Sequence, residues 1–393
     1  MVLKLNMVVS SDNPKIYKGG NVMNNVMGIL NNNPQGISLK ELTGHRSLAS
    51  VPIASRYRLI DFPLSNLVNS DVDNVGILLE SRFRSLLDHI GPGKAWGLDT
   101  KNDGLFLLPP AHINKTGNLY KGDIENLQAN LDYIHRSSQE YVIISYPSIV
   151  CNLDYRPIVK DHINSRADIT VVYKDLETLY KDSHYTTIKI DDDNRITEMK
   201  INPDTRKDTK VSLKRYIMRK DILLEIIDQC VSTGQWDFEK NGISANLQNY
   251  NVQGYEIHNY IAIISSLSEY YRRNMELLQP KIFNDFYNTN GPVFTKPKDE
   301  AATKYTSKAR VHNIIAANGC LINGEVEKSV LFRGVQIGEN ASIKNSIIMQ
   351  KSQVGDGAEL ENVILDKNVT ITPGKKLKGD PSFPLIIDKN SII

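Results

Sequence analysis

The sequence predicts two domains, an α/β domain with a mostly parallel sheet and a C-terminal parallel β-helix of hexapeptide repeats. Up to about residue 278, short apolar segments alternate with amphipathic segments, and this alternation favours a parallel sheet covered by helices on both faces. Between residues 280 and 310 the periodicity disappears. From residue 311 onward, apolar residues recur about six positions apart, which is typical of a parallel β-helix.

Four strands and four helices are predicted in the first domain. The predicted strands are Val26–Leu30, Val75–Leu79, Tyr141–Ile144 and Ile169–Val172. The predicted helices are Asp61–Asn69, Ile124–Arg136, Tyr155–Ser165 and Arg219–Val231. Residues 184–200 are predicted to form a β-hairpin with an acidic turn at residues 191–194. Adjacent turn residues rarely converge on one ion, so we expect this turn to be solvated and not to bind a cation.

The C-terminal repeat has a period of seventeen residues. The segment Ile337–Ile343 resembles Val354–Leu360, seventeen positions later. The residues predicted to point inward are Ile337, Ile343, Met349, Val354, Leu360 and Leu365. One coil cannot bury its inner face alone, so stacked coils are needed to form the core.

These patterns set the predicted domain boundaries. Residues 1–22 are interpreted as a variable N-terminal extension, and residues 23–285 as the α/β domain. Residues 286–310 contain Pro292 and Pro297 and are interpreted as a linker. Residues 311–393 are assigned to the β-helix.

Composition excludes several classes of partner. The 393 residues are 40% hydrophobic and 23% charged, as in ordinary soluble globular proteins. The net charge is +2 and there is no block rich in Lys and Arg, so we expect no nucleic-acid partner. No apolar run approaches the length of a membrane span, so we expect no membrane partner. Three widely spaced cysteines favour reduced thiols and a cytoplasmic location.

Several blocks resemble the ADP-glucose pyrophosphorylases, which are glucose-1-phosphate adenylyltransferases. The matching blocks are Leu39–Thr43 with Arg46, Arg56–Asn66, Tyr120–Asp132 and Tyr141–Ile144. The most specific is Arg56–Phe62, and the resemblance extends from Met27 through the hexapeptide repeats. It is greatest to the GlgD type of subunit in glycogen synthesis. The resemblance implies a Rossmann-like (GT-A-like) nucleotidyltransferase domain followed by a left-handed parallel β-helix.

The nucleotide loop departs from the family pattern. Catalytic members carry a Gly-Gly-x-Gly-x-Arg loop, whose glycines let backbone N–H groups approach a triphosphate. The matching segment here is Asn31–Ser38, in which only Gly36 remains. Pro34 has no N–H to donate, and Ser38 stands where the family has its Arg. We therefore expect this loop not to bind a triphosphate tightly.

Both metal ligands of the family are also replaced. The family places one Asp after the strand matching Tyr141–Ile144 and a second Asp ahead of a late helix. By the resemblance, these positions correspond to Pro147 and Ile263. Neither side chain coordinates Mg²⁺, which needs oxygen ligands. We expect this chain to bind no cofactor itself, with Mg²⁺ held in the active site of a partner subunit.

The resemblance also suggests residues for substrate and effector binding. Lys200 matches the lysine of the family's Glu-Lys-Pro sugar-phosphate motif, without its proline, although a surface lysine at a strand end is an equally good interpretation. Residues 237–241 match the Asp-Phe-Gly-Lys-Asp motif in part, with Glu at the third position. His45, Arg46 and Arg58 match residues that bind phosphorylated effectors in the family.

The effector assignment has a structural alternative. Family effector sites include a basic residue late in the β-helix, where we align residues 360–362, Leu-Glu-Asn. This departure argues against a complete effector site. The alternative is that Arg56 or Arg58 forms an ion pair with Asp61 and simply stabilises the N-terminal subdomain.

The resemblance predicts a non-catalytic or very weakly active regulatory subunit of glucose-1-phosphate adenylyltransferase. It would support a GlgC-type catalytic partner, in a hetero-oligomer that we expect to be a tetramer. The alternative is a self-sufficient sugar-phosphate nucleotidyltransferase with relocated metal ligands, for which Asp123 and Glu125 are the candidates. A hexapeptide acyltransferase is disfavoured, since His312 is the only histidine after residue 300 and precedes the clear repeats.

Overall fold

A computed structural model describes residues 22–32, 37, 39, 41–111, 121–177, 179, 184–203 and 209–393. The helices are α1 Glu41–Gly44, α2 Asp61–Asn69, α3 Arg84–Ile90, α4 Asp123–Ala129, α5 Leu131–Arg136, α6 Arg156–Ser165, α7 Lys220–Ser232, α8 Leu267–Glu276 and α9 Pro280–Asn288. The strands of the first domain are β1 Val26–Asn31, β2 Pro52–Ile53, β3 Tyr57–Arg58, β4 Asn74–Leu78, β5 Gly104–Leu108, β6 Tyr141–Ser145, β7 Ile149–Cys151, β8 Ile169–Asp175, β9 Thr186–Ile190, β10 Ile196–Ile201, β11 Lys210–Arg219, β12 Val252–Glu256 and β13 Ile261–Ile263.

The first domain is built on a mixed sheet whose centre is parallel, which confirms the predicted α/β class. The strand order is β10-β9-β11-β6-β1-β4-β5, with β8 beside β11 and β12 beside β8. β1 is parallel to β4 and β6, whereas β11 is antiparallel to β6 and β8. Val26 and Leu30 of β1 pack on one face, and Met27 and Ile29 pack on the other. Burial of both faces is why this strand is an unbroken apolar run.

The predicted helix over residues 124–136 is two helices, so that prediction was wrong in its length. α4 and α5 are separated at Asn130, whose backbone leaves the helical region. The Asn130 side-chain amide donates to the Pro109 carbonyl at 3.0 Å and to the Asn126 carbonyl at 2.8 Å. These hydrogen bonds stabilise the break, and the Pro109 contact depends on tertiary structure.

The second domain is a stack of parallel coils, which confirms the predicted β-helix. Its strands are β14 Lys304–Tyr305, β15 Arg310–Ala316, β16 Leu321–Ile322, β17 Glu325–Leu331, β18 Gln336–Ile337, β19 Ser342–Lys344, β20 Ile347–Ile348, β21 Gln353–Val354, β22 Glu359–Glu361, β23 Val363–Leu365, β24 Thr370–Ile371, β25 Lys376–Lys378 and β26 Leu385–Ile387. Ile337 pairs with Val354 and Ile343 pairs with Leu360, at the predicted period of seventeen. Five of the six residues predicted to point inward lie in the core of the β-helix. The prediction was wrong for Met349, which packs outside the coil against the first domain, while its neighbour Ile348 points into the coil.

The two domains share one hydrophobic core. Phe62 and Tyr270 of the first domain belong to the same buried cluster as Phe332 and Met349 of the β-helix. The hydroxyl of Tyr271 in α8 donates to the Asn345 carbonyl of the β-helix at 2.6 Å. Because apolar packing and hydrogen bonds both cross the boundary, the β-helix has a fixed position against the first domain.

The segment predicted as a linker contains part of the β-helix. β14 lies within residues 286–310 and pairs in parallel with β16, so the stack begins before residue 311. α9 ends inside the same segment. None of the helices in the described ranges combines the length and the apolar character needed to cross a bilayer.

Candidate functional site

The two segments that match the family's metal-binding positions lie side by side. β7 and β13 are antiparallel, and Ile263 is directly opposite Ile149. The backbone N–H of Ile264 donates to the Ser148 carbonyl at 2.8 Å. Pro147 and Ile263 are both buried. The scaffold thus brings the two positions together, but a pyrrolidine ring and an aliphatic side chain offer no oxygen to a metal ion.

Asp123, one of the proposed relocated ligands, is used inside the protein. Its carboxylate accepts hydrogen bonds from the Asn31 side-chain amide at 3.0 Å, the Tyr146 hydroxyl at 2.7 Å and the Phe238 N–H at 2.8 Å. Burial and, to a smaller extent, the charge of Asp237 raise the pKa of this carboxyl to about 6. With both oxygens already accepting hydrogen bonds, Asp123 stabilises the sheet edge and is not poised to bind a cation.

The donor set does not fit Mg²⁺. Glu125, the second proposed ligand, accepts the Lys121 N–H at 3.0 Å and is 6% exposed. Within the described ranges, no group of three or more His, Cys, Asp or Glu side chains is arranged to hold a metal ion. Mg²⁺ requires near-octahedral oxygen coordination, and the described carboxylates at this edge of the sheet are not arranged to supply it.

A cavity of about 210 Å³ lies beside this edge. Its polar lining includes Asp123, Ser148, His184, Lys214, Asp237 and Glu239. Lys200 lies outside the lining, although Ile201 and Asn202 belong to it. The Lys200 ammonium pairs with Glu198 at 2.8 Å, and its side chain is about half exposed. The lysine in the cavity is therefore Lys214, which the sequence did not single out.

Lys214 and Glu239 form a buried ion pair in this cavity. Their charged groups are 3.2 Å apart, and the side chains are 21% and 7% exposed. Glu239 also accepts hydrogen bonds from the hydroxyls of Thr186, at 2.9 Å, and Tyr216. The carboxylate thus ties β9 and β11 to the helical turn at residues 238–243.

The predicted effector residue Arg46 lies at the boundary between the domains. It is 3% exposed, and its Nη2 pairs with the Asp366 carboxylate of the β-helix at 2.5 Å. Its Nη1 is buried without a hydrogen-bond partner among the described residues. Ordinarily a buried guanidinium nitrogen is satisfied by an acceptor, so this nitrogen is able to donate to an anion.

Arg58 and Lys367 extend the positive charge around Arg46. Burial, together with the charge of Arg46 and against the opposing charge of Asp61, lowers the pKa of Arg58 to about 10. Burial also lowers the pKa of Lys367 to about 6, together with the charges of Arg58, Arg46 and Lys298. Basic groups outnumber the carboxylates around them here, which is typical of a binding site for an anion.

We define the interdomain cation cluster by five residues. They are Arg46, Arg58, Lys298, Arg333 and Lys367. Arg333 is 8% exposed, and burial with the nearby Arg56 charge lowers its pKa. Asp366 accepts from Arg46 and also from the Lys367 N–H at 2.7 Å, so its oxygens are already used.

The predicted ion pair between Asp61 and Arg56 or Arg58 was wrong. Asp61 accepts the Arg58 backbone N–H at 3.0 Å, and its other oxygen lies 2.5 Å from Nε2 of His89. The Arg58 guanidinium instead donates to the carbonyl and hydroxyl of Ser85. Burial lowers the pKa of His89 although Asp61 acts to raise it, so this contact is a hydrogen bond within the core.

The remaining predicted residues have mixed placements. His45 is exposed, next to the buried Arg46. Ser38 lies outside the described residues, as do residues 33–36 of the nucleotide loop. Lys367, which lies beyond residues 360–362 and follows β23, is a basic residue late in the β-helix that lies near Arg46 and Arg58. An Asp-Lys pair at the end of the inward strand β23 is the signal that would have identified it.

Two family profiles match the chain. One described as nucleotidyl transferase matches residues 35–262, and one described as GlmU-like C-terminal hexapeptide matches residues 298–382. The first profile covers more than half of the chain, and the second falls on the β-helix.

Curated relatives agree with this domain order. The chain is 36% identical to the glycogen biosynthesis protein GlgD of Bacillus subtilis, over 94% of this chain and 97% of the relative. It is 35% identical to the GlgD protein of Geobacillus stearothermophilus over the same shares. It is 31% identical to the glucose-1-phosphate adenylyltransferase of Clostridium novyi, over 78% of this chain and 81% of the relative.

The Arg46–Asp366 pair predicts a large effect of a small substitution. Asp366→Asn leaves the Arg46 charge buried without its carboxylate, and we expect it to destabilise the fold by about 3–5 kcal/mol. The control is Glu359→Gln, which breaks the exposed pair with Lys376 and should change stability by about 1 kcal/mol or less. Urea unfolding measures both, and equal losses for the two variants would contradict the buried role of Asp366.

Proposed function

Because the chain belongs to the nucleotidyltransferase family that includes GlgD and the glucose-1-phosphate adenylyltransferases, we propose that it is a regulatory subunit in glycogen synthesis. In this proposal it is non-catalytic or very weakly active in converting ATP and glucose 1-phosphate to ADP-glucose and pyrophosphate. The observation that carries the proposal is the pairing of β7 with β13. Ile263 lies opposite Ile149, two residues from Pro147, and neither Pro147 nor Ile263, which match the metal positions by the resemblance, offers an oxygen ligand.

The chemistry explains why this loss is decisive. Nucleotidyl transfer builds negative charge on phosphate oxygens, and metal ions neutralise that charge and hold the reacting groups in line. Without carboxylates at the two positions, the described part of the site does not fix a metal relative to the nucleotide. The fold itself is intact, since its sheet, β-helix and shared core are all present. Mutational decay of an unused protein would have damaged packing as readily as the metal positions.

We assign catalysis to a GlgC-type partner in a hetero-oligomer, expected to be a tetramer, whose own site holds Mg²⁺. The first coil of the β-helix supports assembly, because β15 pairs only with β17 in the part of the chain that the structure describes. Tyr305, Val311 and Leu321 near this end are 49%, 43% and 38% exposed. An unpaired strand edge with apolar neighbours is favourable to bury against a second subunit. The three thiols are free and buried, in keeping with a proposed cytoplasmic location.

We also propose that the interdomain cation cluster binds a phosphorylated small molecule. Arg46 and Arg58 would supply charge-assisted hydrogen bonds, with His45 at the exposed rim. Lys367, with a pKa of about 6, would take up a proton as the anion binds. The cluster contacts both domains, so an anion bound there would stabilise their docked arrangement. By stabilising this arrangement, a ligand bound to this chain would influence a partner subunit that packs against either domain.

The first test measures pyrophosphate release from ATP and glucose 1-phosphate with Mg²⁺. We expect the purified chain alone to be silent and to raise the rate of a GlgC-type partner when the two are mixed. Serum albumin at the same concentration is the control for non-specific stabilisation of the partner. Turnover by the chain alone at about 1 per second or faster, an ordinary enzyme rate, would contradict the proposal.

The second test uses Lys367. Its pKa is about 6 in the folded chain and 10.5 ordinarily, so the unfolded chain binds the extra proton between these pH values. The unprotonated form of Lys367 is favoured in the fold, so this group lowers the free energy of unfolding most below pH 6. The loss shrinks as the pH rises from 6 toward 10.5. We expect Lys367→Met to raise the melting temperature at pH 7, with a gain that shrinks above pH 9.

The same variant tests anion binding. We expect inorganic phosphate to raise the melting temperature of the unsubstituted chain, because ligands that bind only the folded state stabilise it. Lys367→Met should lose most of this response, whereas the exposed Lys389→Met should keep it. A phosphate response that survives Lys367→Met unchanged would show that the cluster is not the binding site.

A further inference from the structure

Lys214 has a strained backbone at the edge of the cavity. Its φ is +50°, in the left-handed region that favours glycine. It lies where the pairing of β11 with β8 shifts register between Ser212 and Tyr216, so the bulge directs its side chain away from the regular ladder. A lysine in this conformation persists only where its contacts outweigh the strain.

The contact that holds Lys214 is Glu239. Their ion pair of 3.2 Å is supported by the Tyr146 ring, whose centroid is 5.8 Å from the Lys214 ammonium. Burial acts to lower the pKa of Lys214, yet the charges of Glu239, Asp237 and Asp123 raise it above its usual value. The ammonium therefore stays charged and committed to the carboxylates around it.

The ion pair leaves the cavity small and unfavourable for an anion. Its volume of about 210 Å³ is below the roughly 300–1,000 Å³ typical of ligand pockets. Three carboxylates, Asp123, Asp237 and Glu239, line the cavity with Lys214. A sugar phosphate entering here would meet net negative charge, and Lys214, the one lysine among the described lining residues, already has a partner.

We propose that the Lys214–Glu239 pair is an internal lock that takes the place of a sugar phosphate in this cavity. The lock excludes anionic sugars and holds β9, β11 and the turn at residues 238–243 in place without a ligand. It rests on the proposed function, because it explains how a chain that does not catalyse keeps its site ordered. Glu239 stands at the third position of residues 237–241, where the matching Asp-Phe-Gly-Lys-Asp motif of the family has glycine.

The first part of the test is a double-mutant cycle on the full chain. Glu239→Gln and Lys214→Met are made singly and together, and the melting temperature is measured for each. We expect each single variant to lower the melting temperature, because each leaves one buried charge unpartnered. The double variant should lose less than the sum of the two single losses. Strict additivity would overturn the lock. Should a single variant fail to fold while the double variant folds, the coupling is shown directly.

The second part measures binding of glucose 1-phosphate by calorimetry. Glu239→Gln frees the Lys214 ammonium while keeping the side-chain shape, so we expect affinity to rise at least about tenfold, or about 1.4 kcal/mol. The double variant lacks the cation and should lose that gain. Lys240→Gln, an exposed lysine on the same turn, should bind no better than the unsubstituted chain.

Two outcomes separate this inference from the proposed function. If the unsubstituted chain binds glucose 1-phosphate as tightly as Glu239→Gln but releases no pyrophosphate, the lock is wrong and the regulatory role stands. If the unsubstituted chain binds the sugar phosphate and also turns over, both are wrong. Gain of binding by Glu239→Gln with no turnover supports both.

Discussion

The buried ion pair between Arg46 and Asp366 is the contact on which the arrangement of the two domains depends. It joins residues 320 positions apart at 2.5 Å, at the margin of the core that Phe62 and Phe332 share. Apolar packing is tolerant of small rotations, whereas a buried guanidinium requires its carboxylate in one place. The pair therefore sets the position of the β-helix, and with it the spacing of the cations that surround Arg46.

At the cavity edge of the sheet the backbone fold is regular, whereas the side chains are not those that a metal site needs. β7 and β13 lie side by side, and the two nearby positions that match the family's metal ligands by the resemblance hold the apolar, buried side chains of Pro147 and Ile263. Nearby, Asp123 and Glu239 direct their carboxylates into hydrogen bonds within the protein. The acids at this edge thus stabilise the fold. The excess positive charge lies in the interdomain cation cluster.

Sequence reasoning succeeded where local pattern decides structure. The apolar runs of β1 and β6 and the period of seventeen were readable because burial repeats with the geometry of each element. It failed where a side chain's partner lies far away in the sequence. Asp61 forms its hydrogen bond with His89, and Lys214 forms its ion pair with Glu239. No spacing rule connects such pairs, so the lock in the cavity and the role of Lys367 became visible only in the folded chain.

The central claim is that this chain cannot fix a metal–nucleotide complex. Its most direct test is electron paramagnetic resonance of Mn²⁺, a stand-in for Mg²⁺, titrated into the chain with ATP and glucose 1-phosphate. The account predicts the spectrum of Mn²⁺–ATP in solution, unchanged by added protein. A protein-bound Mn²⁺ signal that saturates at one ion per chain would contradict it, because that ion would need oxygen ligands that Pro147 and Ile263 do not supply.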